Sequence, residues 1–525
     1  MPRTRYRLTR RIIPAVRDKV ALMPAPTRRQ ALSAIAGVAA TTQAATPQRP
    51  NILFIYTDDH SYRTVSCYPE AYPWVRTPAL DALAKKGIRF TTAYIGTWCM
   101  PSRASLLTGR YQFGVESMRM DGPYPGNVYD ADKCPFWPKV ARAQGYTTAQ
   151  IGKWHTGTDT GFGRDWDFQL VWNRPKYTGT ATHYYYDQPI TYHGGKTETL
   201  KRYSTDQYTD WAADFIKGTG RDQQKPWYLW LCYGAVHGPY TPADRHKQEL
   251  SGIDFDTPKD IFPPRPGKPD WAQKIEHWEK DQNGKPVANG RSLADWVRQY
   301  HQGVFALDEA VKRLMEVLEE TGQRENTLVI FTSDQGLAFG QHGFRGTKIA
   351  AYDANVRSPL IISMPGRIPQ GKVCTAPIAG VDLVPTMLNF MGVKQPWEMH
   401  GRDLAPLLKN PDAPWPHPVL LPATGQKFGS DTNTIPTGEA AFHAGVPWYV
   451  MLREKRYKYV RPLIHDYEEL YDMQADPDEL TNLAMQPQHQ KTLQRLRAAA
   501  IVELKRHKAG FADRMPAPKL AQGSA

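Results

Sequence analysis

Two acids stand side by side at Asp58 and Asp59, in NILFIYTDDH, directly after a run of apolar residues. Neighbouring carboxylates repel each other, and a divalent cation would relieve that repulsion. A solvated acidic turn is the plainer reading of any single pair. Another acid, Asp334, follows a second apolar run in NTLVIFTSDQG, with the amide of Gln335 next to it. Cys99 opens CMPSRASLLTGR, just before a predicted helix, whose free N–H groups and positive end would favour an anion. Taken alone, Cys99 serves equally well as a buried structural thiol. His155 in GKWH and His237 in YGAVHGPY each follow a further apolar run. An imidazole titrating near neutral pH suits proton transfer, although an isolated histidine is more often a satisfied core or surface group.

The apolar runs are short and end in polar residues, as buried parallel strands do when their carboxyl ends carry function. Strands are expected at NILFIYT, TTAQIG, PWYLWLCY, NTLVIFTS and PLIISM. Helices are expected over TPALDALAKKG with Gly87 as its C-terminal cap, over PSRASLLTG closed by Gly109, and over WPKVARAQG closed by Gly145. The longest helix is predicted within 292–321, where Leu293, Trp296, Val297, Tyr300, Val304, Leu307, Val311, Leu314 and Leu318 keep helical spacing. Strands alternating with helices predict an α/β fold: a large, mostly parallel but mixed sheet sandwiched by helices. Stretches 156–204 and 251–290 read as irregular loops, the segments expected to set specificity. Past residue 410, WYVMLREKRYKYVRP and EELYDM predict short antiparallel strands, followed by a terminal helix over HQKTLQRLRAAAIVELKRHKAG. The chain is accordingly divided into a basic leader (1–45), a catalytic domain (46–410), a smaller C-terminal α+β subdomain (411–515) and a tail (516–525).

The net charge of +14 is unevenly spread, because residues 1–45 hold nine Lys or Arg against a single acid, Asp18. The body keeps a mild positive field that suits an anionic substrate. It carries no dense basic run or nucleic-acid motif, so no nucleic-acid partner is expected. The 15 Trp and 27 Tyr suit a sugar-binding cleft as well as an aromatic core, and the core is the commoner use. Of the five cysteines, none forms a CxxC pair, and chemical use of Cys99 would leave four for one or two disulfides. In the leader, Arg28-Arg29 precede a short, weakly apolar run ending near Ala44 and Ala45, which resembles a twin-arginine export signal. It predicts a periplasmic or secreted bacterial protein that uses the twin-arginine export machinery, with Met23 as the true start.

The segment CMPSRASLLTGR closely resembles the sulfatase signature C-x-P-S-R-x-x-L-L-T-G-R, and every fixed position matches. TSDQGLAFGQHG resembles the second metal-binding segment of that family, S-D-x-G-x-x-x-G-x-H-G, and further segments match around TDDH, GKWH, VHGPY and YDANVRSP. The resemblance, from about residue 50 to about 485, implies the alkaline-phosphatase-like fold and a sulfuric ester hydrolase. It implies that Cys99 is oxidised to formylglycine by a dedicated maturase. It also implies a metal shell of Asp58, Asp59, Asp334, Gln335 and residue 99 that holds Ca2+, with Mg2+ as the alternative. By the same resemblance Arg103 holds the formylglycine hydrate, Lys153 contacts the sulfate, His155 is the base that drives sulfate elimination, and His237 protonates the leaving alcohol. A further cation is implied at Lys348, with Arg345 as the fallback. The substrate class implied is a sulfated carbohydrate. Two alternatives stand beside this: a formylglycine-dependent phosphonate monoester or phosphodiester hydrolase, and a non-catalytic glycan binder with an unmodified Cys99.

Overall fold

The computed structural model describes residues 49–115, 135–425 and 434–519. The leader with its arginine pair, Cys134 and residues 520–525 of the tail lie outside the described residues. The principal elements in chain order are β1 (Asn51–Thr57), α1 (Pro78–Lys85), β2 (Ile88–Tyr94), α2 (Cys99–Thr108), α3 (Pro138–Ala143), β3 (Thr147–Trp154), β4 (Phe168–Asn173), β5 (Gln188–Tyr192), β6 (Thr197–Leu200), α4 (Ser204–Lys217), β7 (Trp227–Cys232), α5 (Leu293–Glu320), β8 (Thr327–Ser333), β9 (Ser358–Ser363), β10 (Lys372–Cys374), β11 (Ile378–Ala379), α6 (Leu383–Met391), β12 (Val419–Ala423), β13 (Tyr449–Arg453), β14 (Tyr457–Pro462), β15 (Glu469–Asp472) and α7 (Gln490–Arg506).

Eleven strands make one sheet in the order β10-β2-β9-β8-β1-β7-β3-β4-β5-β6, with β11 also on β2. Its centre, β8-β1-β7-β3-β4, is parallel throughout. Antiparallel pairs flank it, through β9 on one side and through β5 and β6 on the other. The mixed α/β sandwich expected from the alternating pattern is therefore what forms. Alternate residues of β1 feed two cores. Ile52, Phe54 and Tyr56 pack with residues of α2, α3 and α6, whereas Leu53 and Ile55 pack with α1, α4 and α5. Each fully buried aliphatic or aromatic side chain stabilises the fold by roughly 1.5–3 kcal/mol. On α5 the helically spaced apolar residues are buried except Trp296, which is half-buried, and the Ser292 side chain caps the helix by accepting from Asp295 N at 3.1 Å. The C-terminal sheet β12-β13-β14-β15 is antiparallel, and α7 lies against it. Its Leu420, Val450 and Leu452 belong to the same hydrophobic cluster as Ile52 and Phe54, so it shares a core with the main sheet.

Three local expectations are corrected. Stretch 156–204 is not an irregular loop: it contains β4, β5 and β6, which extend the main sheet. Gly87 is not a left-handed helix cap. α1 ends at Lys85, and Gly87 is needed because a Cβ there would lie 2.3 Å from the Ile362 carbonyl oxygen on β9. Cys99 does not precede α2 but is its first residue, and Gly109 ends that helix at φ 71°. Stretch 251–290 is largely irregular, with a four-residue helix and parts of a small three-stranded sheet. Among the described residues Cys67, Cys99, Cys232 and Cys374 are free thiols. No described helix is long and apolar enough to cross a membrane.

Candidate active site

Strand register assembles the site. β1 pairs with β8 so that Thr57 faces Ser333, and the next residues, Asp58 and Asp334, emerge together at the carboxyl edge of the sheet. β3 pairs with β7 at Gly152 and Cys232, and with β4 at Lys153 and Trp172. Lys153 and His155 thus leave the same edge, as does Arg174 one residue past β4. Asp59 takes a positive φ of 57°, a conformation that Asp tolerates better than most residues. Tyr300 on α5 secures that turn, donating to Asp59 O at 2.8 Å and accepting from Ser61 N at 2.9 Å.

The side chains converge on Cys99. Its Sγ donates to Asp58 Oδ1 at 3.2 Å and lies 2.9 Å from Lys348 Nζ. Lys348 Nζ also donates to both Asp59 oxygens, at 2.8 and 3.0 Å. Lys153 Nζ is paired with Asp58 Oδ2, and the Gln335 amide nitrogen bonds Asp59 Oδ1. Arg103, fully buried on α2, places Nη2 3.7 Å from Asp58 Oδ2 and 3.5 Å from Asp334 Oδ2. Asp334 Oδ1 accepts from Asp59 N at 2.9 Å and from Gln335 N at 3.0 Å. His237 Nε2 is 3.5 Å from Asp59 Oδ2, and Nδ1 bonds Gly238 O at 2.7 Å.

The residues present fit a divalent cation. One ligand atom from each of Asp58, Asp59, Cys99 and His237 lies within 4.8 Å of the others. Asp334 Oδ2 and Gln335 Oε1 are buried with no hydrogen-bond partner. Orphaned buried oxygens beside crowded carboxylates are a donor set that a hard cation satisfies.

Burial and crowding set the charges. Burial, with Asp58 close by, pushes Asp334 up to about 8. Burial likewise raises Asp59, despite Lys348. Asp58 is also pushed up by burial, but Lys153, His237, Arg103 and Lys348 together outweigh that and hold it well below the usual carboxylate range. Burial and the Asp58 charge push the Cys99 thiol up to about 12, so at neutral pH it is protonated and a poor nucleophile. His155 and His237 are both held far below the ordinary histidine value by burial, then by Arg174 and Lys348 respectively.

Asp58, Asp59, Cys99, Arg103, Lys153, His237, Asp334, Gln335 and Lys348 are thus joined by direct contacts. His155 stands one step back: its ring nitrogens lie 3.2 and 3.3 Å from Arg174 Nη1, and none of its hydrogen bonds reaches the carboxylates. Arg345 faces the Trp296 ring at 6.0 Å, while Lys348 is the cation at the cluster. Two neighbours went unread in the sequence. Arg174 donates from Nε to Ala181 O at 2.8 Å and lies over the Tyr184 ring at 5.0 Å. Tyr184 stacks on His237 with centroids 3.9 Å apart and also lies under Lys153. The apolar run FQLVWN would have placed Arg174 at a strand tip; nothing in the run YYY of 184–186 marks Tyr184.

A family model described as Sulfatase matches residues 50–393. An N-acetylglucosamine-6-O-sulfatase of Bacteroides thetaiotaomicron is 30% identical over 499 residues, covering 83% of this chain and 83% of that protein. An ulvan-active sulfatase of Formosa agariphila is 28% identical over 460 residues, covering 85% of this chain and 79% of its own length. A solved structure of a complex with its substrate D-glucosamine-2-N,6-O-disulfate superposes with a TM-score of 0.74 at 26% identity, covering 89% of this chain and 100% of that one.

Proposed function

The chain belongs to the sulfatase family, and on that premise we propose that it hydrolyses a sulfate ester of a sulfated carbohydrate at residue 99. The observation that carries this is the position of Cys99. It is the first residue of a buried helix, wedged between Asp58 and Lys348, with Arg103 and Lys153 paired to the same carboxylate. As a thiol it is inert; converted by a maturase to formylglycine, it would supply an aldehyde hydrate that attacks sulfur and then expels sulfate.

Asp58, Asp59, Asp334, Gln335 and residue 99 would hold the divalent cation. The oxygen-rich set favours Ca2+ over Mg2+, and the ion would supply charge stabilisation at the transferring sulfuryl group. Three carboxylates meet Arg103, Lys153 and Lys348 here, with Arg174 one step back beside His155. With a divalent ion bound, these charges leave a positive excess for a monoanionic sulfate ester.

His155, neutral and so able to accept a proton, is the base for the hydrated residue 99, although the burial and the Arg174 charge that keep it neutral also weaken it as a base. His237 has its Nδ1 bonded to a backbone carbonyl, so Nε2 is the nitrogen left facing Asp59 and the site. To act as an acid it must first gain a proton, which an arriving sulfate anion favours by raising its pKa. The leader supports export to the periplasm or beyond through the twin-arginine machinery, which carries folded proteins and so allows maturation first. The division at 410 and 411 is retained as a functional one, the C-terminal sheet supporting the catalytic body.

The test is release of inorganic sulfate by matured protein from a panel that includes 6-O-sulfated N-acetylglucosamine, sulfated glycosaminoglycan oligosaccharides and ulvan oligosaccharides. Cys99→Ala is the blank. Sulfate release from one class identifies the substrate. Release of the esterified alcohol from phosphonate monoesters or phosphodiesters without any sulfate release would replace this function with the phosphonate hydrolase. An unmodified residue 99 in protein from its native host would favour the glycan binder.

A further inference from the structure

Lys348 is carried by neither a strand nor a helix, yet its ammonium group is placed against both Cys99 and Asp59. The backbone around it is held at alternate residues by three side chains. Asn355 Nδ2 donates to Thr347 O at 2.7 Å, Tyr449 OH donates to Ile349 O at 2.6 Å, and Lys458 Nζ donates to Ala351 O at 3.0 Å. Asn355, Tyr449 and Lys458 are all buried. Tyr449 lies on β13 and Lys458 on β14, so two of the three anchors come from the C-terminal sheet. Lys458 is itself fixed by Asp353 at 2.6 Å and Glu479 at 2.7 Å.

Between these anchors Ile349 has φ +85°. For a β-branched residue this is a genuine outlier, and such a conformation persists only where the surroundings over-determine it. The Ile349 side chain is packed in the core, so the strain does not belong to a slack surface loop. A residue released from such a conformation returns to negative φ, which turns the adjoining peptide and swings the Lys348 side chain.

We propose that Tyr449 and Lys458 are positioning residues for Lys348: the C-terminal sheet clamps Ile349 in a left-handed conformation that aims the Lys348 ammonium at residue 99. The C-terminal sheet then acts on the reaction and does not merely cover the main sheet. The clamp matters only if Lys348 has the role given under the proposed function, so the experiment separates the two.

Tyr449→Phe removes one hydroxyl and leaves the ring in the core. With a substrate from the sulfate-release panel, kcat is expected to fall about 10- to 100-fold, the scale of a misplacement near 1 Å. KM is expected to change less than kcat and the stabilisation by added Ca2+ not to fall, since the carboxylates do not move and the ammonium that leaves Asp59 opposes the ion. Ile349→Gly removes the strain, because glycine adopts positive φ freely. In that background Tyr449→Phe is expected to change kcat less than about twofold. An unchanged kcat in Tyr449→Phe overturns the clamp. So does an equal kcat loss with and without Ile349→Gly, or a kcat loss matched by loss of the Ca2+ effect. If Ile349→Gly does not fold, the kcat, KM and Ca2+ pattern of Tyr449→Phe decides alone. Lys348→Ala is measured beside it. If that variant keeps its turnover, the role of Lys348 is wrong; if it loses turnover while Tyr449→Phe does not, only the clamp is wrong.

Discussion

Asp334→Asn separates holding an ion from holding the fold. The carboxylate's Oδ1 accepts two backbone N–H groups, from Asp59 and Gln335, and Oδ2 has no hydrogen-bond partner. Asparagine keeps the first oxygen, and with it two bonds worth about 1 kcal/mol each. In chelated protein at pH 7 the wild-type carboxyl, pushed up to about 8, still holds its proton, so a neutral amide of the same shape costs little. The ion is a different matter. Removing an outer partner of a metal ligand costs about 10- to 100-fold in metal affinity, so removing an anionic ligand should cost at least about 100-fold. At a free Ca2+ concentration 100 times the wild-type Kd, the ion stabilises wild type by about 2.7 kcal/mol and the variant by about 0.4 kcal/mol. Urea unfolding with chelator and with Ca2+ measures both values. The pH dependence has a definite sign. A carboxyl whose pKa is higher folded than unfolded keeps a proton that unfolding releases. Chelated wild type therefore loses stability as pH rises from about 4 towards 8, by up to about 1.4 kcal/mol per pH unit from this group. Over the same window Ca2+ affinity rises, because the ion displaces that proton. Asparagine removes both slopes. Wild-type Ca2+ stabilisation in the variant, or unchanged slopes, would refute the placement of Asp334 at the ion.

Cys99→Ala is expected to abolish sulfate release while the unfolding free energy stays within about 1 kcal/mol of wild type; substantial residual turnover would contradict nucleophilic use of residue 99. Arg174→Met removes a cation that disfavours protonation of His155. The acidic limb of the kcat–pH profile should therefore move to higher pH while the alkaline limb stays, and an unmoved acidic limb would disconnect His155 from the limiting proton transfer. Gly87→Ala would bring a Cβ to 2.3 Å from Ile362 O and 2.7 Å from Ser363 Cβ, forcing β2 and β9 apart. It should cost about 1–3 kcal/mol in urea unfolding with activity per folded molecule unchanged, because it lies at the sheet edge opposite the site.

What could be read from the sequence follows from how each residue is positioned. Asp58, Asp334 and Lys153 lie at or just beyond the ends of apolar strands, and parallel strands in one sheet end on one edge. Finding the strands therefore finds the residues, though they lie far apart in the chain. Cys99 and Arg103 share one helix whose body and closing glycine are local signals, whereas its first turn, which begins at Cys99 with no side-chain cap, is not. Arg174 obeys the same strand-tip rule, but β4 lies in a stretch dense in Gly, Pro and aromatics, and the antiparallel ladder with β5 and β6 that makes it a strand is a tertiary pairing with no local period. Tyr184 has no such rule, because its value lies in stacking against His237, a contact made by folding and not by spacing. Lys348 shows the limit most sharply. A matching motif brings that residue to notice, but nothing in GTKIAAYD announces that Ile349 adopts φ +85° or that a tyrosine one hundred residues later holds its carbonyl. Local propensity predicts the opposite, since a β-branched residue disfavours that conformation more than most. Where local preference and observed conformation conflict, the energy that settles the conflict comes from elsewhere in the fold, and here it comes from the sheet that sequence reading placed outside the catalytic domain.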